Sequence, residues 1–562
     1  MAILNEIRFD NLRGDLFGGV TAAVIALPMA LAFGVASGAG PAAGLYGAVL
    51  VGLFAALFGS TPTLISEPTG PMTVIMTAVI AQLLAANPEQ GMAMAFTVVM
   101  LAGVFQMLFG ALKLGHYVTM MPYTVISGFM TGIGIILIVL QLGPFLGQAP
   151  PPGGVMGTLS SLPQMIRDIR AEETALALLS FSLLILFPKR LSRMVPPQLL
   201  ALVLGTLVSV ILLSEAEIRR IGEIPTGLPE LQLPVFTAAQ WQLMVVEAAV
   251  LAVLGSIDAL LTSVIAENLT RKESDSNKEL FGQGMGNLAS GLFGGIPGAG
   301  ATMGTVVNIQ TGGRSALSGL TRAVLLLIVV LWAADLTEQI PLAVLAGIAL
   351  KVGIDIIDWS FLKRAHRVSF KAALIMYGVI ALTVFVDLIT AVAIGVFIAN
   401  VLTIARMEKL QSNAVKAIHD AHPEHNLTRD EQTLLEQANG KILIFALGGP
   451  LLFGVAKAIS RKYAVLSSHE ILIVDFTEVP ILGVSSSLAV ENIILEDLQQ
   501  QRPVFIVGAV GDVADRLAKL GLLQRLPAAH VLGTRQEALT QATALLAAKR
   551  PETGGDTRAT AN

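Results

Sequence analysis

From about residue 15 to residue 407, apolar runs of roughly 15 to 25 residues alternate with short polar breaks, and runs of that length cross a hydrocarbon core about 30 Å thick. The pattern predicts helical spans near 15–36, 41–58, 66–86, 93–112, 120–146, 173–188, 195–213, 243–266, 279–295, 300–310, 315–334, 339–356, 371–386 and 388–406. This is the pattern of an α-helical polytopic membrane protein with fourteen spans, its transmembrane domain covering residues 1–407. Beyond Arg406 the chain turns polar and mixed in charge, and 408–440 reads as a linker. From Lys441 the period changes again. "KILIFAL", "EILIVDF" and "PVFIVGA" read as buried strands, and "LLFGVAKAISRKYAVL", "SLAVENIILEDLQQQ" and "DVADRLAKLGLL" as the helices between them, so 441–545 is expected to be a small α/β domain. The tail, 546–562, has no core-forming residues and reads as disordered.

Composition agrees with the pattern: 54% of the 562 residues are hydrophobic and only 14% are charged. The net charge of -4 gives no reason to expect a nucleic-acid partner. With no cysteine there are no disulfides and no thiolate chemistry, and no nucleophile–base pair or metal cluster suggests an enzyme. The N-terminus carries charges before any apolar run and does not read as a cleaved signal. Basic residues mark one side of the membrane: Arg8 and Arg13 before span 1, Lys113 after span 4, Lys189, Arg190 and Arg193 after span 6, Arg271, Lys272 and Lys278 after span 8, Arg314 after span 10, and Lys363, Arg364, Arg367 and Lys371 after span 12. Such loops face the cytoplasm. The chain is thus expected in the inner (plasma) membrane, with both termini and the α/β domain cytoplasmic.

Two spans are irregular. Span 3 opens with "SEPTGPMTVIM" and span 10 with "GAGATMGTVVNI"; each has a Gly/Pro-interrupted start and a short apolar half, and each is third in its run of seven. Non-helical backbone at membrane depth is tolerated where it is buried in protein or lines a cavity, and a matched pair of broken helices points to a transporter's site in an inverted repeat of seven plus seven spans. A helix start exposes unpaired N–H groups and about half a positive charge, so two facing starts bind an anion without a basic side chain. Thr69 and Thr302 add hydroxyls. The competing reading is close packing of small residues. Span 8 holds Asp258 near its middle, with Thr262 one turn on along the same face. An intramembrane carboxylate is costly and marks function by default. With hydroxyls and carbonyls freed near Gly300 and Thr302 it makes an oxygen site for sodium; otherwise it is a structural aspartate or a protonated acid. Glu67 either lines the same cavity or caps its helix. Lys351, Asp355 and Asp358 read as snorkelling to the interface, and Asp387 as a turn residue. His419, His422 and His425 lie in the polar linker without a second ligand cluster, and "GQGMG" at 282–286 reads as helix packing rather than a nucleotide loop.

"GPAAGLYG" at 40–47, "PYTVISGF" at 122–129 and "GTVVNIQTGGRSALSGL" at 304–320, ahead of a soluble α/β domain, resemble the sulfate permease (SulP) family of anion transporters with a C-terminal STAS domain. "TPTLISEPTGPMTVIMTAVIA", "GSIDALLTSV" and "GAGATMGTVVNIQ" are similar to its sodium-dependent bicarbonate carriers. The resemblance implies core and gate subdomains, elevator-like movement, sodium/bicarbonate symport, and a homodimer made through STAS domains. It implies sodium on Asp258, Thr262, Gly300 and Thr302, and bicarbonate on Thr69, Gly300, Ala301 and Thr302. Many anion-carrying relatives resemble Ser-Arg with Asn four residues on; counted back from Asn308, their arginine falls at Gly304, so that fixed positive charge is missing. The "D-x-S-G" of phosphorylated STAS relatives is altered too, with Gly483 at the Asp position, Ser485 at the serine and Ser486 at the Gly, which favours a dimerising role. Proton coupling at Asp258, a sulfate cargo, and a membrane-anchored STAS signalling protein are the alternatives.

Overall fold

The computed structural model describes all residues except 1–3, 119–121, 189–195, 223–228, 333–336, 387, 421–426, 453–454, 465–468 and 549–562. Lys189, Arg190, Arg193, Asp387, His422, His425 and the tail beyond residue 548 lie outside the described residues. Two compact units divide the chain at residues 399 and 400.

In the first unit each predicted span has a helix. The first seven are α1 (Leu12–Ser37), α2 (Pro41–Phe58), the strand β1 (Ser66–Glu67) leading into α3 (Gly70–Ala86), α4 (Gly91–Ala111), and, after the one-turn α5 (Gly115–Val118), α6 (Tyr123–Phe145); α7 (Gly154–Arg167) precedes the last two, α8 (Ala171–Leu186) and α9 (Pro197–Ile211). The second seven are α10 (Trp241–Thr270), α11 (Ser276–Leu292), β2 (Ala299–Gly300) leading into α12 (Thr302–Gln310), α13 (Ala316–Trp332), α14 (Leu342–Ile356), α15 (Phe370–Phe385) and α16 (Leu388–Asn413). Six of these helices are long and apolar enough to cross a membrane by length and composition alone, among them α1, α6 and α10. Span 8 is longer than its apolar run, because α10 continues through the polar "ENLT" to Thr270. Helix α7 was not foreseen: it is amphipathic and mostly exposed, too short and polar for a span.

The packing carries the repeat. α1 lies on α13 as α10 lies on α4; α2 lies on α13 as α11 lies on α4; α6 lies on α15 as α14 lies on α8; and α2 with α11, α6 with α14, and β1 with β2 pair across the pseudo-axis. Exchanging the first seven elements for the second reproduces each of these pairings. α1–α4 with α10–α13 therefore form one group, and α6, α8, α9 and α14–α16 the other. One apolar cluster, with Met72, Val79, Val98, Phe129, Ile133 and Leu251, joins α3, α4 and α10 to α6.

The second unit is a five-stranded sheet in the order β3 (Lys416–Ile418), β4 (Ile442–Gly448), β5 (Ile471–Glu478), β6 (Val504–Val507), β7 (Val531–Leu532), with β3 antiparallel and the rest parallel. The strands are continuous apolar runs because both faces are covered. Leu443, Phe445, Leu472, Val474, Val504 and Ile506 face α18 (Val455–Ala464), α19 (Val484–Gln499) and α20 (Asp512–Lys519). Ile442, Ile444, Ile471, Ile473, Phe505 and Val507 pack with α17 (Arg429–Gln437) and α21 (Arg535–Ala548). The reading of 408–440 as linker is corrected here: β3 and α17 lie inside it. The three-residue β3 is too short to show a period, and α17 is polar on its outer face, but a capping box at Thr428 and Glu431 fixes its start.

Candidate functional site

β1 and β2 cross antiparallel, Ser66 opposite Gly300 and Glu67 opposite Ala299, and a helix leaves each end of the crossing. Two residues of extended chain suffice because Pro68 and the glycines at 298 and 300 keep both segments out of the helix. α3 starts after Thr69 and α12 after Ala301, and neither start is capped by its own N-cap side chain. Pro71 has no N–H, so α3 offers fewer donors than α12. Ala301 N–H already donates to Ile65 O at 2.8 Å; its contribution is therefore space and backbone direction, and the donors of the α12 start belong to Thr302 and the residues after it.

Helix α10 passes alongside. A Cβ on Gly300 would stand 3.1 Å from both Ala259 Cα and Thr262 Cβ, so glycine is what lets β2 lie flat on that helix. In that contact the Thr262 hydroxyl donates to Gly300 O at 2.8 Å and lies 3.0 Å from the Thr302 hydroxyl. One turn earlier, Asp258 Oδ2 accepts from the Thr69 hydroxyl at 2.8 Å. The residues singled out in the sequence thus form two hydrogen-bonded groups one turn apart on α10: Asp258 with Thr69, and Thr262 with Gly300 and Thr302. Asp258, Thr69 and Ala301 are 9%, 8% and 8% exposed, whereas Thr302 and Met303 are exposed, so the cluster opens at the first turn of α12. Met303 Sδ there lies 3.6 Å from Gln198 Nε2 of α9, in the other helix group. One carboxylate, the Gly300 carbonyl, the hydroxyls of Thr69, Thr262 and Thr302 and two helix starts are chemically suited to a hard monovalent cation beside a small anion.

The sequence reading missed what stands behind the crossing. Arg322 of α13 is fully buried; its Nη1 donates to Ala48 O and Ser66 O, each at 3.1 Å, and its Nη2 to Glu67 Oε2 at 2.5 Å. Gly52 makes room, since a Cβ there would meet Nη1 at 2.4 Å. Glu67 is thus an ion-pair partner rather than a helix cap, and a fixed positive charge absent from span 10 is present in span 11. The signal was available, an arginine inside "ALSGLTRAVLLLIVV". Other buried polar groups brace the loops around the crossing. Asp15 accepts from the Arg314 and Ser315 N–H groups, Glu279 from those of Ser60 and Thr61, and Asn287 exchanges hydrogen bonds with Gly298 while donating to Gln106. The glycines of "GQGMG" pack α11 onto α2 and α4, as expected. Lys351 pairs with Asp355. Asp358 does not snorkel: it accepts from Tyr123 and Ser127 of α6, each at 2.7 Å, and from Phe361 N–H. Among the described residues no group of three or more His, Asp or Glu side chains is placed to hold a metal.

Residues 12–379 match the sulfate permease family and residues 435–538 the STAS domain. The chain is 63% identical over 542 residues to the bicarbonate transporter BicA of Synechocystis sp., covering 96% of each, and 63% identical over 546 residues to the bicarbonate transporter BicA of Picosynechococcus sp., with the same coverage. Among solved structures, the transmembrane domain of a cyanobacterium bicarbonate transporter BicA is 69% identical and superposes with a TM-score of 0.66, over 69% of this chain and 99% of that one. The overall structure of SLC26A9, only 19% identical, superposes with a TM-score of 0.82 over 96% of this chain and 91% of that one, which shows a shared fold. The chain belongs to the sulfate permease family, as a multi-pass helical membrane transporter with a C-terminal STAS domain.

Proposed function

We propose that the protein is a sodium-coupled bicarbonate symporter that takes inorganic carbon into the cell. The observation that carries the reading is the oxygen cluster of Asp258, Thr262, Gly300 and Thr302 set against two uncapped helix starts. A cation among the oxygens offsets Asp258, and the anion then meets Thr69, Ala301 and the α12 start with that negative charge compensated. The cation is cargo, so its electrochemical gradient drives the anion inward. Identity to two bicarbonate transporters across nearly the whole chain supports the anion. Alternating access follows from moving the group that holds both helix starts against the group of α6, α8, α9 and α14–α16, an elevator-like step. The basic loops support cytoplasmic termini in an inner membrane, and the STAS domain is proposed to pair two protomers.

The test is uptake of labelled bicarbonate into proteoliposomes under an imposed sodium gradient, with a proton gradient and excess sulfate as separate arms. Sodium-driven uptake that resists sulfate supports the reading. Uptake driven equally by protons, or abolished by sulfate, replaces it with a proton-coupled or sulfate-carrying permease.

A further inference from the structure

Resting on that reading, we propose that the buried Glu67–Arg322 pair sets the charge of the anion site and thereby its need for sodium and its preference for a monoanion. Arg322 is the largest fully buried side chain among the described residues, and its guanidinium donates to the site's own scaffold: Ala48 O, Ser66 O and Glu67 Oε2. Two of these lie on β1, the strand that leads through Pro68 into Thr69 and the start of α3. Glu67 reaches toward both sides of the crossing, because the Cβ position at Gly304, in the first turn of α12, lies 3.5 Å from its Oε1. The pair therefore bears on both segments that carry the helix starts: Arg322, from α13, holds β1, and Glu67 lies against the first turn of α12.

The charges add simply. Asp258 and Glu67 bring two negative charges and Arg322 one positive, which leaves the site at minus one. Each helix start contributes about half a positive charge. The empty site is then close to neutral and has no net attraction for an anion. One sodium ion makes it positive by about one charge, which one bicarbonate cancels; a dianion leaves an excess in a poorly solvated place. Were Glu67 neutral, Arg322 would supply the same unit of charge permanently, and the anion would enter without the cation. Glu67 acts through Arg322 and is a positioning and charge-setting residue; it need not touch the cargo.

The test is Glu67→Gln in proteoliposomes, reading the ratio of bicarbonate uptake with sodium to uptake without it. The expected result is a fall in that ratio of about tenfold or more, with sulfate becoming a competitor. In the double variant Glu67→Gln/Arg322→Gln, the net charge returns to minus one and the ratio recovers. A purely structural pair lowers uptake with and without sodium alike and leaves the ratio unchanged, and that result overturns the proposal. If Glu67→Gln does not fold, Gly304→Arg adds one positive charge beside the intact Glu67 and must lower the ratio as well; a folded, transporting Gly304→Arg that is as sodium-dependent as the parent also overturns it. A parent protein without sodium-driven bicarbonate uptake removes the functional reading and this one together. A sodium-dependent parent with an equally dependent Glu67→Gln removes only this one.

Discussion

Replacing Asp258 by Asn keeps the size of the side chain and leaves an oxygen for the Thr69 hydroxyl, which now donates to the carboxylate at 2.8 Å, but it removes the charge that a cation would meet. Losing one charge-assisted contact is worth about 2–3 kcal/mol, so sodium-driven uptake is expected to fall roughly 30- to 150-fold while the protein still folds. An unchanged sodium half-saturation would make Asp258 structural. Thr262→Val is the subtler probe. It preserves shape at a fully buried position but deletes the hydroxyl that donates to Gly300 O and meets Thr302. A loss of about 1–2 kcal/mol predicts a sodium half-saturation raised roughly five- to thirty-fold, with maximal uptake affected less. Titration of uptake against sodium separates the two parameters. Asp258 was legible as a lone acid in an apolar run. Arg322 was equally visible, but its meaning was not, because its partner Glu67 lies 255 residues away along the chain.

The broken helices were legible as elements because glycine and proline interrupt an otherwise apolar period, and both breaks fall third in a run of seven. What the breaks do to each other was not legible. The antiparallel β1–β2 pairing, and the use of Ala301 N–H by Ile65 O, depend on two segments more than two hundred residues apart meeting in one register. Two substitutions test the element as a unit. Gly300→Ala puts a methyl 3.1 Å from Ala259 Cα and Thr262 Cβ, against backbone that cannot move aside cheaply, so β2 should lift from α10 at a cost of about 1–3 kcal/mol and both sodium and bicarbonate binding should weaken. Ala301→Leu leaves that face alone and fills the space at the start of α12. Bicarbonate binding should be lost while sodium binding, measured by isothermal titration, persists to a larger extent. Equal losses of both ligands in both variants would mean that the crossing does not separate a cation side from an anion side.

At the scale of the molecule, the two units offer separate handles. In the STAS domain, burial pushes the Asp497 carboxyl up, but hydrogen bonds from His469, Tyr463 and Arg502 outweigh it and hold the group below the usual carboxylate range. A depressed carboxylate adds stability above its unfolded value, near pH 4, and loses it as the pH falls through the lower folded value. Asp497→Asn should therefore lower the midpoint of the STAS-domain thermal transition at pH 7, by at least ~1 kcal/mol in stability, and the gap to the parent should close below about pH 4. A gap independent of pH would assign the loss to shape rather than charge. The strands and principal helices of this domain could be read from short apolar runs, whereas β3 and α17 could not, since three residues carry no period and a polar helix looks like a linker until its partner face is known. The same division runs through the whole protein. By itself the sequence determined the local quantities: where the chain is apolar enough to span, where glycine and proline break a helix, where an acid sits in an apolar run, and which strands are buried on both faces. Each depends on neighbours within a few residues. Tertiary structure alone decided which helices pair across the pseudo-axis, that Asp358 braces α6 and that Arg322 stands paired with Glu67 behind the crossing. Hydrogen-bond geometry and burial are properties of groups meeting from distant parts of the chain, and no local period records them.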